Sequence, residues 1–122
     1  MSYNLRTRRE WIYFDDRIIR HEFGDLTLKD RAKLMALMEH YRISGNTNPV
    51  PAKIDDYGDG LKRLRHIKPA YKGRLLFFVV EGADDLERLV VVSVFVKQGQ
   101  TVPKNVIERA MSRKDRFEDR GK

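Results

Sequence analysis

Apolar positions recur along this chain with two periods, and the change between them divides it into a helical half and a sheet half. Trp11-Ile12-Tyr13-Phe14 is aromatic and too short for a helix, so it reads as a first strand. Asp15 or Asp16 can then cap a short helix in which Ile18, Ile19 and Phe23 share one face, ending at Gly24. Thr27, with Asp30 three residues on, resembles a capping box. It opens a second helix in which Leu34, Leu37, Met38 and Tyr41 recur at helical spacing up to Gly45. Residues 46–51 read Asn-Thr-Asn-Pro-Val-Pro and residues 56–60 read Asp-Tyr-Gly-Asp-Gly. Both are turn chemistry, so the connection between the helices and the sheet is expected to be a loop.

From Leu61 the period becomes two. Leu61, Arg63, Arg65 and Ile67 fall on one side of an extended segment, and Lys62, Leu64 and His66 on the other. Residues 74–81 and 88–97 are β-branched, aromatic and almost wholly apolar, as inner strands of a covered sheet would be, with Gly82-Ala83-Asp84-Asp85 as their hairpin loop. Thr101 and Pro103 start a last helix carrying Val106, Ile107, Ala110, Met111 and Phe117. The expected order is strand, two helices, three strands, helix. This is an α+β domain spanning residues 1–122, with an antiparallel four-stranded sheet, helices packed on one face, and flexible ends at 1–9 and 118–122.

Composition narrows the partners. Lys and Arg number 25 against 18 Asp and Glu, giving a formal charge of +7, so nucleic acid, an acidic protein or an anionic membrane surface would all be attracted. Without cysteine there is no disulfide framework, thiolate metal site or thiol nucleophile. The longest apolar runs, 75–80 and 89–96, fall well short of the roughly 20 residues of a membrane helix, and no signal core follows Met1. The expectation is a cytoplasmic protein with no membrane partner.

Candidate chemistry gathers in residues 61–74, where Lys62, Arg63, Arg65, Lys68, Lys72 and Arg74 occur without an acid. A solvated charged surface is one reading. The other is a phosphate grip, because neighbouring strands bring side chains together on a sheet face and arginine offers a planar fork of donors. Cleavage of RNA by its own 2′-hydroxyl requires removal of the hydroxyl proton, positive charge on the developing pentacovalent phosphate, and a proton for the leaving 5′ oxygen. Arg65 and Arg74 suit the second task. Lys97, at the end of an apolar strand, could serve as base or acid, or could simply snorkel into water. His66 is a proton shuttle or a structural histidine, and Tyr71 a base-stacking platform or rim packing. Lys62, Arg63, Lys68, Lys72 and Lys104 complete the expected RNA contacts. His21 and His40 read as helix-surface residues. Asp55, Asp56 and Asp59 lack the spacing of a calcium loop, and no phosphate-binding glycine loop, GxSxG or HExxH occurs, so no metal or cofactor is expected.

These segments resemble the toxins of the RelE/ParE superfamily, specifically the phage-derived HigB-like group of type II toxin-antitoxin systems. The resemblance rests on Gly60-Leu61-Lys62-Arg63-Leu64-Arg65, on Gly73-Arg74 before an apolar strand, on Phe95-Val96-Lys97, and on Gln100-Thr101-Val102-Pro103 ahead of a helix with Ile107, Glu108 and Ala110. It covers residues 23–117. It implies a RelE-like fold and a ribosome-dependent mRNA endoribonuclease that needs no metal and is neutralised by a helix-turn-helix antitoxin. Arg65, Arg74 and Lys97 would then be the phosphate-binding and catalytic positions. Two positions depart from the family pattern: Arg63 replaces an acid and Gln98 a second lysine. Two non-enzymatic readings stand beside this one, an inhibitor of a host protein such as DNA gyrase and a basic RNA-binding module without chemistry.

Overall fold

Asp15 and Thr27 set the helical half in place. The Asp15 carboxylate accepts the Ile18 N–H at 3.1 Å, and Thr27 Oγ1 accepts the Asp30 N–H at 3.1 Å, so each helix begins with a donor that would otherwise lack a partner. The computed structural model describes residues 8–45, 52–82, 84–99 and 101–120. Along them run β1 (Arg8–Tyr13), α1 (Asp16–Gly24), α2 (Leu28–Ser44), β2 (Ala52–Asp56), β3 (Lys62–His66), β4 (Gly73–Glu81), β5 (Leu86–Val96) and α3 (Lys104–Arg120).

The α+β class holds, but three expectations about the sheet need correction. It has five strands in the order β1-β5-β4-β3-β2, not four. The added strand, β2, occupies part of the expected loop; residues 46–51 of that loop lie outside the described residues. The sheet is also mixed, since β1 pairs with β5 in parallel while every other pairing is antiparallel. Finally, the helices cover both faces. Ile19, Phe23, Leu34 and Leu37 from α1 and α2 pack on Leu64, Leu75, Phe77 and Val91, whereas Val106 and Ala110 of α3 pack on Leu76, Phe78, Val90 and Val92. Both faces of β4 and β5 are therefore buried, which is why these strands read as continuous apolar runs and not as an alternation. At the ends, β1 takes in Arg8 and Arg9, which were expected in the arm, and α3 continues past Phe117 to Arg120; residues 1–7, 121 and 122 lie outside the described residues.

Two local irregularities decide which side chains meet. Gly58, Asp59 and Gly60 all have positive φ (87°, 52° and 82°), a turn that suits glycine. It folds β2 back so that Asp55 sits opposite Arg63. The second is a bulge in β5: Leu76 faces Ser93 while Phe77 faces Val91, leaving Val92 as the extra residue. Val90 and Val92 lie on the α3 face, but beyond the bulge Val94 and Val96 turn to the α1/α2 face. Phe95 and Lys97 are thereby brought to the α3 side, beside Arg74.

Candidate functional site

The alternation in β3 works as a sorting device. Leu64 belongs to the core under α1 and α2, so Arg63 and Arg65 project to the α3 side, where Arg65 pairs across the ladder with Arg74 and Arg74 with Phe95. Arg63, Arg65, Arg74, Phe95 and Lys97 line one cleft of about 190 Å³, closed by Pro69, Gln98, Gly99, Thr101 and Val102. The Lys97 N–H donates to Lys72 O at 2.8 Å, which fixes the end of the strand against the turn before β4. The three residues expected to be catalytic thus share one concavity.

What holds the bulge in shape is an ion pair that sequence reasoning did not anticipate. Beyond Val91 the strand β5 has no β1 neighbour, and its free edge would leave backbone groups unpaired. Glu22 of α1 accepts the Val94 N–H at 2.8 Å, and Arg113 of α3 donates to Val92 O at 2.8 Å. The two side chains also bond each other at 2.9 Å, so one charged pair satisfies the irregular edge and ties both helices to it.

Within the cleft the four cations are committed to different degrees. Arg63 is bound tightly to Asp55, at 2.6 and 3.0 Å. Arg65 reaches the same carboxylate only at 3.4 Å. Arg74 is 3% exposed and spends Nη1 on the carbonyls of Tyr71 and Gly73, at 2.8 and 3.0 Å, with no carboxylate paired to it among the described residues. Lys97 has no ion-pair partner among the described residues. Burial, and then the charges of Arg63 and Arg65, push the Arg74 guanidinium below its ordinary value, although an arginine still keeps its proton. Burial would raise the Asp55 carboxyl, but hydrogen bonds and charge from Arg63 and Arg65 together outweigh it and hold the group below the usual carboxylate range. Asp55 therefore pairs with two of the three guanidinium groups, Asp30 and Asp55 act on Arg74 only at a distance, and the cleft keeps a surplus of positive charge suited to a phosphate.

The other expected RNA contacts divide between places. Lys62 projects with Leu64 to the opposite face and pairs with Asp56 at 3.5 Å. His66 is buried; its Nδ1 accepts the Lys68 N–H at 2.9 Å, and its ring lies 4.6 Å from that of Tyr71. It does not line the cleft. Lys68 and Lys72 are exposed on the β3–β4 turn, and Lys104 at the start of α3, none of them in the cleft lining. Of the two histidines expected on helix surfaces, His21 is exposed, whereas His40 is only partly so and its Nε2 is buried without a partner. Asp55, overlooked as a loop residue, had a legible signal: Ala52 and Ile54 alternate with Lys53 and Asp55 just before a Gly-Asp-Gly turn, a hairpin pattern. Nothing in the spacing of Glu22 or Arg113 could have announced their pairing, which joins residues 91 positions apart.

Among the described residues no helix is long and apolar enough to cross a membrane. Comparison with curated proteins found no match. A family model does match, described as phage derived protein Gp49-like (DUF891), over residues 21–115. The matched region takes in both partners of the Glu22–Arg113 clamp, the turn that sets Asp55 against Arg63, and every cation of the cleft. With most of its length covered in this way, the chain belongs to the Gp49-like family of phage-derived proteins.

Proposed function

We propose that the protein is the toxin of a type II toxin-antitoxin pair, a cytoplasmic, single-domain member of the RelE/ParE superfamily and its HigB-like group, which cuts messenger RNA on the ribosome. The observation that carries this reading is the meeting of Arg65, Arg74 and Lys97 in one cleft with surplus positive charge. In the proposed reaction the 2′-hydroxyl loses its proton to solvent and attacks the adjacent phosphorus. The bond from phosphorus to the 5′ oxygen breaks, leaving a 2′,3′-cyclic phosphate, and Lys97 donates a proton to the departing oxygen. Arg65 and Arg74 hold the phosphate oxygens as charge accumulates on them, a role rewarded only in the transition state. A helix-turn-helix antitoxin would silence the site by laying Asp and Glu side chains over the same cations.

Induction of the wild-type protein in a bacterium is expected to arrest growth and to produce breaks inside translated messages, mapped by sequencing RNA ends. Arg65→Ala, Arg74→Ala and Lys97→Ala should each lower cleavage by about 100- to 1000-fold, the usual cost of losing one transition-state donor. Growth arrest with intact messages would reject cleavage and turn attention to a protein target such as DNA gyrase, read by a supercoiling assay. One observation favours a second reading, RNA binding without cleavage: among the described residues no histidine lines the cleft, and the Asp55 carboxylate beside it is tied to Arg63. In that case RNA would bind in a salt-dependent way and stay whole.

A further inference from the structure

A second group of cations lies outside the cleft, and its arrangement is costly to the fold. Lys29 and Lys33 project from the first turns of α2 toward the ring of Tyr71, with their Nζ atoms 5.2 and 4.8 Å from its centroid. Like charges four residues apart on a helix repel, and cations in the first turn oppose the helix dipole. Neither lysine has an ion-pair partner among the described residues, nor do Lys68 and Lys72 on the adjoining turn. The nearby Asp30 carboxylate accepts the Lys72 N–H at 3.1 Å through Oδ1 and forms no ion pair with these lysines. The electron-rich face of Tyr71 holds the two ammonium groups together, yet leaves their charge unneutralised.

This group is joined to the cleft by a single turn. Tyr71 presents its ring to α2 while its carbonyl accepts Arg74 Nη1, and the carbonyl of Lys72 accepts the Lys97 N–H. Pro69 of the same turn lines the cleft. A polyanion seated on Arg65 and Arg74 therefore has a charged path over the end of the sheet onto α2, and a chain with one phosphate per unit matches such a path throughout its length.

We propose that Lys29, Lys33, Lys68, Lys72 and Tyr71 form a ledge that binds the single-stranded RNA as it leaves the cleft. This rests on the reading of the cleft as an RNA site, and it adds α2 to the surface that reads the strand. The ledge sets how tightly long RNA is held and takes no part in bond breaking.

The test compares oligouridylates of about four and about sixteen nucleotides, by fluorescence anisotropy over a range of salt, for the wild type, the double variant Lys29→Gln/Lys33→Gln and Arg65→Ala. Two lost phosphate contacts should lower the log-log salt slope for the long strand by about 1.4 and leave the short strand unchanged. Tyr71→Leu, which releases both lysines without removing charge, should weaken long-strand binding and lower the slope by less. Thermal unfolding confirms that each variant is folded. An unchanged long-strand slope in the double variant overturns the ledge and leaves the cleft reading intact. A double variant that keeps its RNA binding but loses binding to polyglutamate also overturns it, in favour of an acidic protein partner. A ledge-dependent slope alongside uncut ribosomal messages supports the ledge and rejects the nuclease.

Discussion

Arg113 and Arg74 are both nearly buried, at 8% and 3% exposure, and lie on the same side of the sheet, yet their surroundings differ in kind. Arg113 meets Glu22 and a strand carbonyl, so its charge is matched where it lies. Arg74 meets two carbonyls and two further arginines, with the carboxylates of Asp30 and Asp55 acting on it only at a distance. A buried cation with its own carboxylate serves the fold. One left among like charges destabilises the empty protein and becomes favourable when an anion arrives. The contrast separates a clamp from a site, although in the sequence both residues are simply arginines beside apolar segments.

The largest effect should come from breaking the clamp. Arg113→Ala leaves the largely covered Glu22 carboxylate without a cation and Val92 O without this donor, and is expected to cost about 3 kcal/mol of stability in urea denaturation. Arg74→Ala removes hydrogen bonds to two carbonyls but also relieves repulsion from Arg63 and Arg65, so its stability loss should be smaller while its loss of RNA cleavage is severe. If both variants lost stability equally, the distinction between the two environments would fail. Because the clamp sets the bulge that aims Phe95 and Lys97, any Arg113 variant that remains folded should also cleave poorly at saturating RNA.

Changing the shared carboxylate sharpens the comparison from the other side. Asp55→Asn keeps the shape of β2 and removes the only negative charge paired with Arg63 and Arg65 among the described residues. RNA should bind more tightly, with a steeper salt dependence, while stability at neutral pH falls by no more than about 1 kcal/mol. The sign with pH follows from the depressed carboxyl of Asp55. Its contribution is present above the unfolded value of 3.8 and is lost as pH falls through the lower folded value. Acid titration of stability should therefore lose that step in the variant, and a tighter-binding variant with an unaltered acid limb would count against the pairing.

How much of this could be read from residues alone depended on the range of the interaction. Helix starts at Asp15 and Thr27 and the face-sorting of Arg63 and Arg65 against Leu64 were legible because each is set within a few residues. The convergence of Arg65, Arg74 and Lys97 was expected, but strict alternation along β5 would have placed Phe95 and Lys97 on the wrong face. The bulge at Val92 corrects this, and no local signal marks it, since Val92 and Ser93 are ordinary strand residues. The β1–β5 pairing joins segments nearly eighty positions apart, and the two-sided cover of helices follows from it. His66 falls on the face opposite Arg63 and Arg65, as the alternation of β3 requires, and is thereby displaced from the cleft.

That displacement makes His66 a gauge of the unmatched charge behind the cleft. Burial first, and then the positive charges of Lys33 and Lys68, push its imidazole below the ordinary 6.5. The folded protein therefore resists taking up this proton more than the unfolded chain does. Stability should be fully present above about pH 6.5 and decline as pH falls through the window between 6.5 and the lower folded value, levelling off beneath it. Lys33→Gln and Lys68→Gln each remove one repelling charge, so both should move the His66 midpoint upward, observed from its ring-proton shifts by NMR. The residual depression in the double variant measures desolvation alone. Saturation with RNA should raise the midpoint in the wild type if phosphates sit beside Lys33 and Lys68. A midpoint that ignores RNA while RNA occupies the cleft would confine the bound strand to the α3 face and leave the lysines of α2 outside its path.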